Sequence, residues 1–314
     1  MNKIEQNRKS IRDSVGEAIV QLGITNPKVV VINADLSGTC RTKHFADTFP
    51  ERCFNVGVAE QNMVSFAAGL AHEGFIPYVF SMAPFLSMRA CEQVRTDVAY
   101  ANLNVKFIAT YAGVSGGISG ATHWSIEDVA IMSAIPNMTV CEPSDWNNAY
   151  NMLISICDIN GPVYMRCSVL PVEPIIVGNK DDYMKSRIIK SGQDGMFICS
   201  GIVVEYAFHA AQELHSENGL NIGVIDMRTT KPLDCAAVDL AVTTKHVVVA
   251  QDHNVIGGLG SIVGTYIAAH NANTKFAVCG VNDIFTPMAH AEYLYKKFGY
   301  DKSGLKRTML SLFE

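Results

Sequence analysis

Short apolar runs that alternate with helix-like stretches constrain the fold of this chain more than any other feature of its sequence. In the first half, five runs predict β-strands at Val29–Asn33, Ile76–Phe80, Val105–Thr110, Met138–Cys141 and Val163–Arg166. Between them, helices are predicted at about residues 9–22, 60–73, 85–100, 126–134 and 145–157. Continuously apolar strands are typical of parallel sheets that helices cover on both faces. The pattern therefore predicts an α/β fold with mostly parallel sheets in three-layer α/β/α domains.

A second α/β series begins near residue 195. Its strands are predicted at Met196–Cys199, Ile222–Asp226, Val247–Ala250 and Phe276–Val281, with helices at about 203–215 and 259–270. The intervening residues 168–194 hold two prolines and show no clear period, which is typical of a linker. We therefore predict two domains, residues 1–175 and 190–314, joined by a linker at about 170–190.

Composition and charge exclude several functional classes. The 314 residues are 48% hydrophobic and 18% charged, which is globular usage and argues against extended disorder. The net charge of −5, without a run of like charges, disfavours nucleic-acid binding. No apolar stretch reaches the roughly 18 residues of a membrane span, and the polar N-terminal stretch lacks an apolar signal core. We expect a cytoplasmic protein that binds neither nucleic acid nor membranes.

The nine cysteines point away from zinc and disulfide chemistry. No two of them are closer than ten residues, so no C-x-x-C pair exists. Most lie inside apolar runs, which predicts buried free thiols in a reducing compartment.

The segment NVGVAEQNM, which starts at Asn55, places Glu60 in the first turn of a predicted helix. An acid at this position is favoured by the helix dipole and by free backbone N–H groups. The same position suits a carboxylate that points from the helix start into a cleft. The residues alone leave both interpretations open.

Two glycine-rich segments are candidate contact sites. GVSGGISGATH, residues 113–123, has four glycines in eight residues, so it is either a flexible turn or a place where a ligand meets backbone. His123 ends it, and an imidazole can donate, accept and titrate near neutral pH. QDHNVIGGLGS, residues 251–261, lacks nucleotide-binding spacing, which favours close packing or an interface contact.

Taken in order, several motifs resemble the C-terminal half of a transketolase, and most closely the split transketolases that two genes encode. They are GVAEQNM, AAGLAHEGFIPYVFS, RACEQVR, GATHWSIEDVAIMSAIPNMTVCEPSD, PVYMR and QDHNVIGGLGS. The resemblance implies a pyrimidine-binding domain followed by a transketolase C-terminal domain. The GDG motif of the diphosphate-binding domain is absent from the sequence. The resemblance therefore implies an N-terminal partner subunit that binds the diphosphate of thiamine diphosphate with Mg²⁺ or Ca²⁺, and no metal ligand is assigned to this chain.

The resemblance also implies residues that contact the cofactor. Glu60 matches the carboxylate that hydrogen-bonds to the pyrimidine ring and makes its amino group basic, and it is the first predicted catalytic residue. Phe85 matches, to within a residue, the aromatic side chain that stacks on the pyrimidine. Phe80 is a second aromatic candidate, and Met82 lies near a family position that is often aromatic.

Substrate contacts are implied across the first domain. Arg8 and Arg166 match arginines that hold a sugar phosphate, and Thr39 matches a hydroxyl near the same phosphate. Asp35 matches an aspartate of the active-site wall. His123 matches a histidine that faces the reacting carbons, and it is the second predicted catalytic residue.

Three positions depart from the usual transketolase pattern. Ser119 stands where an aspartate reads a sugar hydroxyl, Tyr111 where a histidine lies near the phosphate, and Trp124 where a glutamine is usual. Buried polar groups that read a substrate discriminate strongly, so these changes point to a substrate other than an ordinary pentose phosphate. Tyr111 and Ser119 are accordingly predicted to contact it.

The predicted function is transfer of a two-carbon ketol unit from a ketose to an aldose, within an α₂β₂ assembly that contains a homodimer of this chain. Three alternatives stay open. One is an E1β-type subunit of a 2-oxo acid dehydrogenase, against which the ADLSG, GATH and IPNM segments argue. The others are a 1-deoxyxylulose-phosphate synthase type, which usually carries all its domains in one chain, and a non-catalytic transketolase-like partner.

Overall fold

Two mostly parallel sheets organise the chain, as the alternation of apolar runs predicts. The structure is a computed structural model that describes residues 8–175 and 182–314, so part of the predicted linker lies outside the described residues. The strands in these ranges are β1 (Lys9–Ser10), β2 (Val29–Asn33), β3 (Cys53–Asn55), β4 (Ile76–Met82), β5 (Lys106–Thr110), β6 (Thr139–Cys141), β7 (Val163–Cys167), β8 (Pro171–Val172), β9 (Arg187–Lys190), β10 (Gly195–Cys199), β11 (Ile222–Asp226), β12 (Thr229–Lys231), β13 (His246–Asn254) and β14 (Lys275–Val281). The predicted fold class is confirmed.

Helices separate most of the parallel strands. They are α1 (Ile11–Thr25), α2 (Lys43–Thr48), α3 (Glu60–His72), α4 (Cys91–Gln93), α5 (Asp128–Ala134), α6 (Trp146–Ser155), α7 (Val203–Asn218), α8 (Cys235–Val242), α9 (Leu259–Ala269), α10 (Ala291–Phe298) and α11 (Lys302–Ser311). Within residues 8–175 and 182–314, no helix combines the length and the apolar character that crossing a bilayer requires.

Local sequence signals fix several helix ends. Asp145, Asp234 and Asp301 precede α6, α8 and α11, and each side chain accepts a hydrogen bond from the backbone N–H three residues later. Such caps satisfy donors that a helix start leaves free. α7 and α10 end at Gly219 and Gly299, whose positive φ angles are easily adopted by glycine.

The first sheet has seven strands in the order β12-β6-β7-β5-β4-β2-β3. All neighbours are parallel except β12, which pairs antiparallel with β6. β2, β5 and β7 are buried along their whole lengths, because apolar clusters cover both faces of the sheet. The edge strand β12 comes from the second half of the chain, so the two halves share this sheet.

The carboxyl ends of four neighbouring strands meet at one edge of the first sheet. Ligands of open α/β sheets bind outside this edge. Asp35, Glu60, Phe85 and Tyr111 follow the ends of β2, β3, β4 and β5 there. Asp35 and Tyr111 both have φ +61, a left-handed conformation that non-glycine residues seldom adopt and that is concentrated at functional sites.

The second sheet has five strands in the order β14-β13-β10-β11-β9, of which only β9 is antiparallel to its neighbour. One face packs against α7 and α11, and the other packs against α8 and α9. β9 lies within the predicted linker, which therefore contributes an edge strand.

A buried polar network joins the two domains. The Arg166 guanidinium on β7 donates to the Asp128 carboxylate at 3.0 and 3.1 Å, and to Glu142 Oε1 at 2.7 Å. Glu142 Oε2 accepts from Ser200 Oγ at 2.7 Å and from Gln251 Nε2 at 3.0 Å, both in the second domain. Charged groups of the first domain are thus satisfied across the domain junction.

The carboxylate of Asp226, also buried at this junction, is hydrogen-bonded within the described ranges at only one of its two oxygens. Ser144 Oγ donates to Asp226 Oδ2 at 2.6 Å, whereas Asp226 Oδ1 has no hydrogen-bond partner among the described residues. Burial raises the pKa of Asp226 from 3.8 to about 7, although Arg228 and Arg187 oppose the shift. Because the folded protein binds this proton more tightly than the unfolded chain, stability is lost as pH rises through this range.

We expect Asp226→Asn to remove that pH-dependent loss. The free energy of unfolding of the wild type falls by about 1.4 kcal/mol for each pH unit across this range. The difference in free energy of unfolding between the variant and the wild type should therefore grow by about 2–4 kcal/mol, in favour of the variant, from pH 4 to pH 8. Urea unfolding of both proteins at the two pH values measures the difference, in which contributions common to both proteins cancel. A difference independent of pH would show that Asp226 is ionised at little cost in the folded chain.

Candidate active site

Glu60 is a buried carboxylate at the strand-end edge of the first sheet. It is the first residue of α3, it is only 1% exposed, and its Oε2 accepts a hydrogen bond from Arg89 Nη1 at 2.7 Å. The Arg89 side chain is 44% exposed. The carboxylate is therefore shielded from water, and its negative charge is balanced by the Arg89 guanidinium, which reaches it from the solvent side.

A π-helical turn, Phe85–Arg89, explains why Arg89 reaches Glu60. The turn follows Pro84, and the Ala90 N–H donates to the Phe85 carbonyl at 3.1 Å, five residues back. The wider turn places the Arg89 guanidinium over the Phe85 ring, with 4.2 Å between its central carbon and the ring centroid. Single π-turns inside helices occur frequently at functional sites. The sequence prediction of a regular helix here missed this turn and the role of Arg89.

His123 extends the row of neighbouring side chains that Glu60, Arg89 and Phe85 form. Its ring meets the Phe85 ring edge-on, with 5.9 Å between centroids, and its Nδ1 lies 2.7 Å from Thr122 Oγ1. The imidazole is exposed. The structure therefore brings Glu60, Phe85 and His123 together, three residues that the sequence proposed separately.

Asn55 holds Asp35 beside the turn that leads to Glu60. The Asn55 Oδ1 accepts from the Asp35 N–H at 2.9 Å and from the Gly57 N–H at 3.1 Å. Its Nδ2 donates to Asp35 Oδ1 at 3.3 Å. Asn55 was not among the predicted site residues, although it starts the motif that contains Glu60.

Arg12 forms a second group with two predicted substrate residues. Its Nη1 lies 3.3 Å from the Thr39 carbonyl oxygen and 3.4 Å from the Tyr111 hydroxyl. Its Nε is buried and has no hydrogen-bond partner in the part of the chain that the structure describes. A cation with an unused donor suits an anionic ligand.

The structure does not bring Arg8 or Arg166 together with Thr39, the third residue predicted to lie near the sugar phosphate. Arg8 donates to Glu205 at 2.6 Å and to the Pro171 carbonyl at 3.0 Å, and it lines a cavity of about 460 Å³ between the domains. Arg12, four residues further along the chain and in the first turn of α1, takes the position beside Thr39 that was expected of Arg8. Arg166 is completely buried and bound to the carboxylates of Asp128 and Glu142, so the structure places it apart from Thr39.

The structure does not bring Phe80 together with Glu60 and Phe85. Its side chain is completely buried within the core on one face of β4. Met82, at the end of the same strand, retains slight exposure.

The three departures from the family pattern have different surroundings. Tyr111 faces Arg12, and Ser119 is half-buried in the glycine-rich loop. Trp124 is buried in the core, and its Nε1 finds no hydrogen-bond partner among the described residues. Trp124 therefore fills space in the core at a position where a glutamine is usual in the family.

Two family models and several known proteins match the chain along most of its length. Residues 7–171 match the family model "Transketolase, pyrimidine binding domain", and residues 184–305 match "Transketolase, C-terminal domain". A protein of Methanocaldococcus jannaschii described as a transketolase C-terminal section is 40% identical over 314 residues, which cover 99% of this chain and 98% of that protein. A 6-deoxy-6-sulfo-D-fructose transketolase subunit of Clostridium sp. is 37% identical over 92% of this chain and 90% of its own.

A solved structure shows the same architecture. It is named a split gene transketolase, inactive beta4 tetramer, and it is 35% identical to this chain. The two superpose with a TM-score of 0.86 over 96% of this chain and 97% of that one. The chain therefore belongs to the transketolase family, and it carries that family's pyrimidine-binding and C-terminal domains.

Proposed function

We propose that this chain is one half of a thiamine diphosphate-dependent transketolase and binds the pyrimidine end of the cofactor. The observation that carries the proposal is Glu60, a buried carboxylate at a strand-end edge with an aromatic ring and an exposed imidazole in the same row. A carboxylate beside an aromatic face fits a flat, nitrogen-containing ring, which needs a hydrogen-bond partner at its edge and an apolar surface against its plane.

Each side chain of the row has a distinct proposed role. Glu60 holds a hydrogen bond to the pyrimidine nitrogen, and Phe85 packs against the ring. When bound, thiamine diphosphate supplies the carbon nucleophile that adds to a ketose carbonyl. His123 orients the sugar hydroxyls and exchanges protons with them, because its exposed ring faces the space beside Phe85. Asp35, fixed by Asn55, forms the wall of the substrate space.

The proposed site is completed by a partner subunit that carries the diphosphate-binding domain with Mg²⁺ or Ca²⁺. Two apolar side chains beside the row support this proposal, because Val58 is 74% exposed and Met88 is 45% exposed. Apolar surface next to a functional edge is typical of a protein interface. The relatives are themselves named as a section, a subunit or a split-gene product. We propose an α₂β₂ assembly of this kind.

The test is reconstitution with the N-terminal transketolase section from the same genome. We expect thiamine diphosphate to bind tightly to the pair and not to either chain alone, and the pair to transfer glycolaldehyde units between sugars. Decarboxylation of a 2-oxo acid by the pair would favour the E1β alternative. A pair that binds cofactor without transferring any carbon unit would favour a non-catalytic partner.

We further propose that the substrate is a ketose that carries a terminal anionic group and is not an ordinary pentose phosphate. The Arg12 guanidinium suits the anion, while Tyr111 and Ser119 replace the usual histidine and aspartate. Relatives are named for 6-deoxy-6-sulfo-D-fructose and apulose 4-phosphate, so substrate differences occur among similar chains.

A panel of sugars with the reconstituted pair checks this proposal. We expect kcat/KM for xylulose 5-phosphate with ribose 5-phosphate to be at least about 100-fold below that of the best ketose in the panel, because mismatched buried polar groups are costly. The panel should include sulfonated and branched ketoses, together with unphosphorylated controls. Efficient turnover of the ordinary pair would refute the substrate proposal and leave the cofactor proposal intact.

A further inference from the structure

The glycine-rich loop that ends at His123 rests on the second domain, through a residue of the QDHN motif. Asp252, two residues before the end of β13, accepts a hydrogen bond at Oδ1 from the Val114 N–H, at 2.9 Å. A Cβ on Gly113 would lie 2.1 Å from the Asp252 carboxyl carbon, and Gly113 has φ +62. The loop can therefore approach the carboxylate this closely only because residue 113 is a glycine.

Asp252 is itself held rigidly. Its side chain is 2% exposed, and its two oxygens accept from the hydroxyls of Tyr295 at 2.8 Å and Tyr300 at 3.0 Å. Its backbone carbonyl accepts from Arg166 Nη2 at 3.0 Å. A fully satisfied buried group of this kind fixes one geometry, because any movement leaves a polar atom without its partner.

The loop between β14 and α10, residues 282–290, makes two further contacts with the glycine-rich loop. A Cβ on Gly117 would lie 2.7 Å from the Ala289 carbonyl oxygen, and Gly117 has φ +46. A Cβ on Gly120 would lie 3.0 Å from two atoms of Met288. Three of the four glycines are thus points where the second domain touches the loop.

Consecutive turns connect these contacts to the imidazole. The Gly117 N–H donates to the Val114 carbonyl at 2.9 Å, and the Gly120 N–H donates to the Gly117 carbonyl at 3.2 Å. The His123 N–H then donates to the Gly120 carbonyl at 3.0 Å. At the other end, the Gly113 N–H donates to the Ser125 carbonyl at 2.8 Å, which closes the loop.

We propose that Asp252 is a positioning residue of the active site: it holds the glycine-rich loop, residues 113–123, in the conformation that presents His123 to the substrate. The second domain then acts in catalysis without touching substrate or cofactor. That Asp252 holds the loop is inferred from the contacts alone. That this affects catalysis rests on the proposed catalytic role of His123.

Hydrogen exchange in the isolated chain tests the structural part. The Val114 amide should exchange at least about 100-fold more slowly than an unprotected amide, because its acceptor is a buried, rigid carboxylate. Asp252→Ala should accelerate exchange across residues 113–123 by about 10–100-fold, which is the effect expected from the loss of one charge-assisted hydrogen bond. Asp252→Asn, which keeps an acceptor oxygen, should stay within about threefold of the wild type.

Asp226→Ala is the matched control, because Asp226 also lies near the carboxyl end of a strand of the second sheet and is equally buried, but has no hydrogen bond to the loop. It should leave exchange of residues 113–123 within about threefold of the wild type. An unprotected Val114 amide in the wild type, or equal acceleration by both alanine variants, would overturn the proposal. Even if Asp252→Ala fails to fold, the exchange rate of the Val114 amide in the wild type still tests the proposal.

A double-mutant cycle in the reconstituted pair tests the link to His123. Asp252→Ala should lower kcat by about 10–100-fold when His123 is present, and by less than about threefold in the His123→Ala background. Equal losses in both backgrounds would refute a positioning role. Absence of transfer by the wild-type pair would instead contradict the proposed function, and the exchange result would stand independently.

Discussion

Glu60→Gln is expected to lower kcat of the reconstituted pair by about 10³-fold, within the range by which positioned acid–base groups accelerate reactions. Glutamine keeps the size of the side chain and one acceptor oxygen, but it lacks the negative charge that a charge-assisted hydrogen bond to the pyrimidine nitrogen needs. Because Arg89 is nearly half exposed, water can solvate its guanidinium once the ion pair is lost. We therefore expect the thermal unfolding midpoint to change little.

Glu73→Gln is the matched control for this variant. Glu73 directly follows the last residue of α3, the helix that Glu60 begins, and its side chain is exposed. It should retain wild-type kcat and KM, so a loss confined to Glu60→Gln identifies the buried carboxylate as the important group. Activity of Glu60→Gln within tenfold of the wild type would contradict its proposed role.

Arg166→Met is expected to lower the free energy of unfolding by about 3–5 kcal/mol, the largest stability effect that we predict. The substitution leaves the carboxylates of Asp128 and Glu142 buried without their counter-charge. It also removes the donor to the Asp252 carbonyl, so the domain junction loses contacts on both sides. Urea unfolding of the isolated chain measures the effect.

Arg41→Met provides the comparison, because Arg41 pairs with Asp13 where both side chains are about 40% exposed. Exposed pairs contribute less than about 1 kcal/mol, so this variant should remain near the wild type. If Arg166→Met unfolded at the same urea concentration as Arg41→Met, the buried network would not stabilise the junction. Binding of a sugar phosphate by Arg166 would then need to be considered again.

Most strands of the two large sheets could be predicted because their apolar runs are continuous and separated by helix-like stretches. β3, β9 and β12 could not be predicted this way. β3 and β12 have only three residues each, and β12 is recruited to the first sheet from the second half of the chain. Such pairing depends on tertiary contacts that local pattern does not contain.

The site was predictable where a sequence motif matches the family pattern, as at Glu60 and, to within a residue, at Phe85. It was not predictable where the direction of a side chain decides its role. Arg8 and Arg12 lie four residues apart, but Arg8 precedes β1 and only Arg12, in the first turn of α1, faces Thr39. Arg166 lies on a central strand, and only the structure shows that its side chain enters the domain junction.

We propose that the buried carboxylate of Glu60 activates a cofactor that this chain shares with a second subunit. The most direct measurement is the rate at which the C2 proton of thiamine diphosphate exchanges with deuterium, followed by NMR in the reconstituted pair without substrate. We expect exchange in the wild-type pair to be at least about 10³-fold faster than in the Glu60→Gln pair, and the Glu73→Gln pair to match the wild type. Equal exchange rates in the wild-type and Glu60→Gln pairs would contradict the claim.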